Sequence, residues 1–255
     1  DDLGIYYDPS RPSRLETLIE ASAALSDADR RRAEALIATL IGERLSKYNL
    51  GGANVADLPT GRRILVPGQV EDDASIRLGA TDVTTNHGLL AAARKANPAA
   101  VIIYKPHPDV EAGLRKGTVS EATSLADVVA TKADPLALID QVDEVWTMTS
   151  LLGFEALLRG KKVTCLGSPF YAGWGLTDDR AMPVTRRSAS PDVIALAQAV
   201  LIDYPRYFDP KSGLPCPVEV AVERLATGDI PRPSQFNRIA AKLQGAFASY
   251  AHLWR

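Results

Sequence analysis

Between Gly61 and Gly167 the chain alternates short apolar runs with amphipathic stretches. The segments "RRILVPGQ", "AAVIIYKPHP", "DEVWTMTS" and "KVTCLG" read as strands. Between them "NHGLLAAARKANP", stopped by Pro98, "ADPLALIDQV" and "SLLGFEALLRGK" read as helices. Apolar strands separated by helices of about ten residues mark βαβ units on a parallel sheet. The predicted fold class is therefore α/β, a Rossmann-like parallel sheet with flanking helices.

Upstream, "LGIYYD" reads as a short strand closing into the turn "DPSRPS". Ser13 followed by Glu16 is a capping-box signature and predicts a helix from Arg14 to Ala24. Ser26 or Asp27 caps a second helix with Ala33, Leu36, Ile37, Leu40, Ile41 and Leu45 at helical spacing, expected to end near Asn49 and the Gly51-Gly52 pair. From Pro191 the pattern "SPDVIALAQAVLIDY" is helical, followed by "YPRYFDPKSGLPCP" and two more helices. The expected organisation is a strand and helices over 1–60, a Rossmann-like domain over 61–190, and a helical extension over 191–255.

Ligands of open α/β sheets bind outside the carboxyl ends of the strands. Four loops of unusual composition fall at that edge: "GQVEDDAS", "KPHPDVEAGLRKG", "TMTSLLGFE" and "GSPFYAGWGLTDD". In the second, Pro106 and Pro108 stiffen the chain around His107, with Lys105, Arg115, Lys116, Gly113 and Gly117 nearby, a composition suited to an anion. In the third, Thr147, Thr149 and Ser150 precede a helix; Ser150 is an N-cap, and hydroxyls beside a helix N-terminus suit a phosphate or carboxylate. Glu155, about one turn in, is placed for a ribose hydroxyl pair or for packing. The acidic run Glu71-Asp72-Asp73 reads for its first two members as a solvated turn, while a carboxylate at this edge can also serve as base or nucleophile. The aromatic and glycine residues of the fourth loop suit a nucleobase or sugar face, and equally a loop packed under its own side chains.

Composition narrows the classes. The 255 residues carry a formal net charge of −2, without the basic excess of a nucleic-acid binder. Cys165 and Cys216 form neither a disulfide framework nor a metal motif, so a reducing cytoplasm is the expected compartment. No histidine or cysteine completes a zinc spacing around the acidic run.

Together, "GQVEDDAS", "KPHPDVEAGLRKG", "TMTSLLGFEALLRGKKV", "SPFYAGWGLTDDR", "YPRYFDPKSGLPC" and the opening "LGIYYDPSRPSRLE" resemble the capsule polysaccharide β-Kdo transferases of the KpsC/LipB type. The resemblance runs from about Leu3 to Cys216. It implies a glycosyltransferase-B-like architecture, with the first lobe incomplete. It also implies a retaining, metal-free transfer of Kdo, an acidic eight-carbon sugar, from CMP-Kdo to a lipid-linked acceptor. The family pattern Gln-x-x-x-Asp-x-Ser maps to Gln69, Asp73 and Ser75, with Asp73 as nucleophile. His107 of the His-Pro motif would face the donor phosphate, with Lys105 beside it. Thr149 and Ser150 would bind phosphate or cytidine, Glu155 the ribose, and Arg115 or Lys116 the Kdo carboxylate. No cofactor is expected. The implied setting is the cytoplasm, with peripheral association at the inner membrane or with capsule assembly proteins. The alternative is a non-catalytic polysaccharide assembly or export module of the same fold.

Overall fold

The computed structural model describes residues 1–46 and 58–231. By contact the chain divides into two compact units, Asp1–Pro205 and Arg206–Arg255. The first opens with α1 (Arg14–Ser22) and α2 (Asp27–Gly42) and continues as β1 (Arg63–Pro67), α3 (Ala74–Gly79), α4 (Asn86–Ala96), β2 (Val101–Lys105), α5 (Pro108–Glu111), α6 (Ala122–Leu125), β3 (Val128–Val129), α7 (Pro135–Gln141), β4 (Glu144–Thr147), α8 (Leu151–Leu158), β5 (Lys162–Cys165), β6 (Asp178–Asp179) and α9 (Val193–Ala197). A π-helical segment, Gln198–Asp203, extends α9.

The six strands are all parallel, in the order β3-β2-β1-β4-β5-β6. Both faces are covered, which is why the central strands are apolar throughout rather than alternating. Side chains still point to opposite faces in turn. Ile64, Val66, Ile102, Tyr104 and Trp146 pack with Ile76 of α3 and Leu89, Leu90 and Ala93 of α4. Leu65, Ile103, Val145 and Val163 face α1, α7 and α8 through Ile19, Leu138, Ile139, Phe154 and Leu157. The chain leaves β1 towards one edge and returns to build the other from β4. The gap between the carboxyl ends of β1 and β4 is thus the topological switch point, where this class of sheet opens a crevice.

Several expectations shift. "LGIYYD" is not a strand but turns, because Asp1 gathers it locally: its carboxylate accepts the N–H groups of Leu3, Gly4 and Arg14. The helix after Ser26 ends at Gly42, since Arg44 adopts a left-handed φ of 50° while its guanidinium pairs with Asp134 and Asp140. The expected terminus near Asn49 lies outside the described residues. The two-residue β3 is too short to show as a period in the sequence.

The second unit holds a hairpin of β7 (Tyr207–Phe208) and β8 (Pro215–Cys216) followed by α10 (Val218–Thr227). Arg224 pairs with Asp209 at 3.0 Å and with Asp229 at 2.7 Å. The first of these pairs, with its hydrogen bond, holds the Asp209 carboxyl down to about 2.

Behind β5 the "PFYAGWG" loop is fixed from within. Tyr171 and Trp174 are fully buried, and the Trp174 indole donates to the Phe170 carbonyl at 2.8 Å. The Arg187 guanidinium lies 5.7 Å from the Trp174 ring and donates to the carbonyls of Pro169 and Ala172. It also bonds Glu16 of α1 at 2.9 Å, and Arg186 donates to the same carboxylate. Burial pulls the Arg187 pKa down, so the neighbouring carboxylate is what holds the charge in place. Truncating Glu16 to alanine takes the directly bonded carboxylate from a buried guanidinium. Urea denaturation of Glu16→Ala is expected to show a loss of about 3–5 kcal/mol, and a loss under 1 kcal/mol would contradict this role.

Candidate functional site

The loops leaving β1, β2, β3, β4 and β5 line one cleft of about 1130 Å³. Its middle is built on Gln69, the second residue after β1. The Gln69 side chain crosses the switch point. Its Nε2 donates to Thr149 Oγ1 at 2.9 Å, and its Oε1 accepts from Thr149 N at 3.0 Å and from Thr147 Oγ1 at 3.2 Å. Its backbone is clasped by Asn86, which accepts from Gln69 N and donates to Gln69 O, both at 2.8 Å. Asn86 Nδ2 donates as well to the Gly117 carbonyl, at 2.8 Å, so the fully buried Asn86 ties the loops after β1 and β2 together. Gly117 has φ +134°, and a Cβ there would stand 2.6 Å from Asn86 Nδ2. Gln69 lines the cleft and at the same time staples two loops together.

The acidic run is the solvent-facing turn expected for Glu71 and Asp72, and its carboxylates also bond neighbouring loops. Glu71 Oε1 accepts the Asn86 N–H at 2.7 Å at the start of α4, and Asp72 pairs with Arg115 at 3.0 Å. Asp73 is the N-cap of α3: its Oδ1 accepts both Ser75 N, at 2.9 Å, and Ser75 Oγ, at 2.7 Å. These two bonds fix the carboxylate's orientation, and Asp73 and Ser75 both line the cleft.

The loop after β2 starts with a buried charge. Lys105, only 5% exposed, is paired with Glu111 at 3.2 Å and donates to the Pro106 carbonyl. His107 is the N-cap of α5, with Pro108 in the first turn. Its Nδ1 accepts the Asp109 N–H at 3.2 Å, which leaves the ring proton of the neutral form on Nε2. The other oxygen of Glu111 accepts the backbone N–H of Lys132, three residues past the end of β3. Lys132 has φ +53°, a left-handed conformation that costs a side-chain-bearing residue about 1–2 kcal/mol. It is exposed and lines the cleft. Its ammonium enters no ion pair among the described residues.

At the exit of β4, Thr147 Oγ1 accepts Ser150 N at 3.0 Å, and Ser150 Oγ accepts Leu152 N at 3.2 Å, capping α8. The Tyr171 hydroxyl donates to the Ser150 carbonyl, anchoring this turn to the core. Glu155, nine-tenths buried, lines the cleft from the next turn of α8. Of the aromatic loop only Pro169 and Phe170 reach the cleft; Tyr171 and Trp174 do not line it. The wall is extended by Tyr6 and Tyr7, with Tyr6 edge-on to Phe170 at 5.9 Å.

Every sequence-predicted site residue except Lys116 lines this one cleft. The carbonyl of Lys116 accepts the Glu71 N–H at 3.2 Å. Sequence reasoning missed Asn86, Tyr6, Tyr7, Arg44 and Lys132. A buried asparagine after the Thr84-Thr85 pair carried a helix-start signal only, and Lys132 follows a strand too short to recognise. Among the described residues no three His, Cys, Asp or Glu side chains form a metal-ligand set, and no helix is long and apolar enough to cross a membrane.

Comparison with known proteins places the chain in a family. Residues 31–207 match the sequence model of a family described as "Capsule polysaccharide biosynthesis protein". The chain is 47% identical over 228 residues to the capsule polysaccharide modification protein LipA of Neisseria meningitidis serogroup A, covering 88% of this chain and 32% of that protein. It is 45% identical to the lipopolysaccharide-processing protein LpsZ of Rhizobium meliloti, covering 89% of this chain and 52% of LpsZ. The chain thus spans between about a third and about half of these relatives' length. Among solved structures, the β-Kdo 2,4 transferase KpsC of Thermosulfurimonas dismutans superposes with a TM-score of 0.79 at 34% identity, covering 88% of this chain and 71% of that one. The β-Kdo 2,7 transferase KpsC of the same organism gives 0.77 at 36% identity, with coverage of 89% and 71%. These neighbours have a glycosyltransferase-B-like fold, and the six-stranded sheet described above corresponds to it.

Replacing Asn86 with alanine leaves Gln69 N, Gln69 O and Gly117 O without their partner. The expected result is a loss of about 2–3 kcal/mol in denaturant titration, with amide exchange at Gln69 accelerated selectively. Unchanged exchange at Gln69 would refute the hub. Gly117→Ala should be destabilised as well, since it meets both a positive φ and the Asn86 amide.

Proposed function

The chain belongs to the capsule polysaccharide biosynthesis family, alongside the KpsC β-Kdo transferases, and on that premise we propose that it is a retaining glycosyltransferase module moving Kdo from CMP-Kdo to a lipid-linked capsule-linker acceptor. The observation that carries the reading is the gathering of Asp73, His107 and Ser150, from three separate loops, around one cleft at the switch point of a sheet that superposes on KpsC.

In the proposed reaction Asp73 attacks the anomeric carbon of Kdo. The bond to the phosphate oxygen breaks and its electron pair leaves with CMP. A glycosyl ester on Asp73 results. In a second step an acceptor hydroxyl attacks the same carbon, its proton passes to solvent, and the bond to Asp73 breaks to free the carboxylate, giving net retention. The Ser75 bonds hold the attacking carboxylate in one orientation. Charge grows on the departing phosphate, so donors fixed before the reaction are worth most there. His107 is suited to donate from Nε2, since Nδ1 is occupied by the Asp109 N–H. The capped N-terminus of α8 supplies the positive end of a helix dipole beside it. Glu155 stands one turn further along and is proposed for the ribose. Gln69 acts by joining the Asp73 loop to the Ser150 loop. The chemistry calls for no metal or cofactor. The lipid-linked acceptor would put the reaction at the cytoplasmic face of the inner membrane, with the protein associated peripherally.

The test is turnover of CMP-Kdo generated in situ, with CMP release followed by NMR. Asp73→Ala should abolish transfer while still binding CMP, and intact mass on a slowed variant should find Kdo esterified to residue 73. His107→Ala should cut kcat by about 10²–10³-fold. Activity surviving in Asp73→Ala would falsify the nucleophile assignment, and a wild-type protein that neither hydrolyses CMP-Kdo nor transfers Kdo would remove the transferase reading.

A further inference from the structure

We propose that Lys132 is the residue that recognises the carboxylate of the acidic sugar, a role the sequence had suggested for Arg115 or Lys116; the inference rests on the donor reading given above. It follows from an inventory of the cations lining the cleft. Arg44 faces Asp134 and Asp140, each at 3.1 Å. Lys105 is neutralised by Glu111, and Arg115 by Asp72. Lys116 does not line the cleft. Lys132 alone among the lysines and arginines of this lining has no carboxylate partner among the described residues.

Its position matches the chemistry of the donor. The phosphate-facing groups lie on the loops after β2 and β4, on either side of β1, and Asp73 follows β1 itself. In a sugar acid activated at its keto carbon, the carboxylate is attached to the same carbon that carries the phosphate. It must therefore lie within about one strand spacing, some 4.8 Å, of the bond that breaks. Lys132 lies in the turn three residues past β3, the strand next to β2, and lines the same cleft as His107 and Asp73.

The backbone is also built to hold it there. Glu111 uses one oxygen to neutralise Lys105 and the other to grip the Lys132 N–H, fixing a left-handed residue at the rim. One carboxylate thus silences one lysine and positions the other.

The experiment uses the whole chain as wild type, Lys132→Met and Lys132→Arg. Three quantities are read: KM and kcat for CMP-Kdo, Kd for CMP, and Kd by NMR titration for free Kdo against its methyl ester. Lys132→Met should raise KM for CMP-Kdo about tenfold, as expected for loss of one charge-assisted contact, with CMP binding changed less than about twofold. Lys132→Arg should recover most of the loss. Wild type should prefer Kdo over the ester, and Lys132→Met should erase that preference. An equal loss for CMP would assign Lys132 to the nucleotide and overturn the proposal. So would an unchanged KM, or a preference for Kdo that survives in Lys132→Met. A wild type that binds Kdo through Lys132 but does not use CMP-Kdo would overturn the transferase reading while upholding this one.

Discussion

The switch point of the sheet depends on one buried amide. Two strands that run side by side, β1 and β4, send their chains to opposite faces, and nothing in the ladder itself holds their exit loops together. Gln69 does so, with three hydrogen bonds from one side chain to Thr147 and Thr149. Asn86 then fixes the backbone of Gln69 and pulls in the loop after β2. In a low-dielectric interior a fully satisfied network of this kind is rigid, and each missing member would strand the others. Asp73, four residues beyond Gln69, and Ser150, one residue beyond Thr149, inherit their positions from it.

Around this hub the cleft manages its charges by internal pairing. Its lining holds both signs, and most of its cations are already neutralised by carboxylates of neighbouring loops. A buried charge such as Lys105 could not persist without Glu111. The same pairs fasten one loop to another: Asp72 to Arg115 links the exits of β1 and β2, and Glu111 links those of β2 and β3. An anionic ligand therefore meets a surface whose electrostatics are largely settled before it arrives, with a few groups left for recognition. That arrangement suits preorganised stabilisation of a leaving phosphate better than a broad basic patch would.

The aromatic wall behind β5 shows how similar residues divide between scaffold and site. Tyr171 and Trp174 are core, held by Arg187 and Glu16, and Tyr171 fixes the turn that presents Ser150. Phe170, their neighbour, lines the cleft with Tyr6 from the chain's opening turns. The specificity of the "PFYAGWG" motif thus lies as much in supporting the site as in touching a ligand. Gly153 belongs to the same support, because a Cβ there would collide with the Tyr171 hydroxyl.

Periodicity alone determined much of this protein. The apolar runs at Ile64–Val66, Ile102–Tyr104, Val145–Trp146 and Val163–Cys165 read as buried strands, the intervening patterns read as helices, and caps at Ser13, Ser26 and Ser150 marked helix starts. From those followed the parallel sheet and the rim where its polar loops meet, because a helix between successive strands returns the chain to run in the same direction. What lay beyond reach were relationships between residues far apart in the chain. The linking role of Gln69 was hidden because its partners are 78 and 80 residues away. The bonds of Glu71 to Asn86 and of Asp72 to Arg115 were not legible, because those partners belong to other loops. Lys132 drew no notice because β3 is two residues long and exists only through its pairing with β2. Hydrophobic burial is written residue by residue, whereas the hydrogen bonds and ion pairs that decide which polar groups face a ligand form only when the tertiary fold brings the loops together.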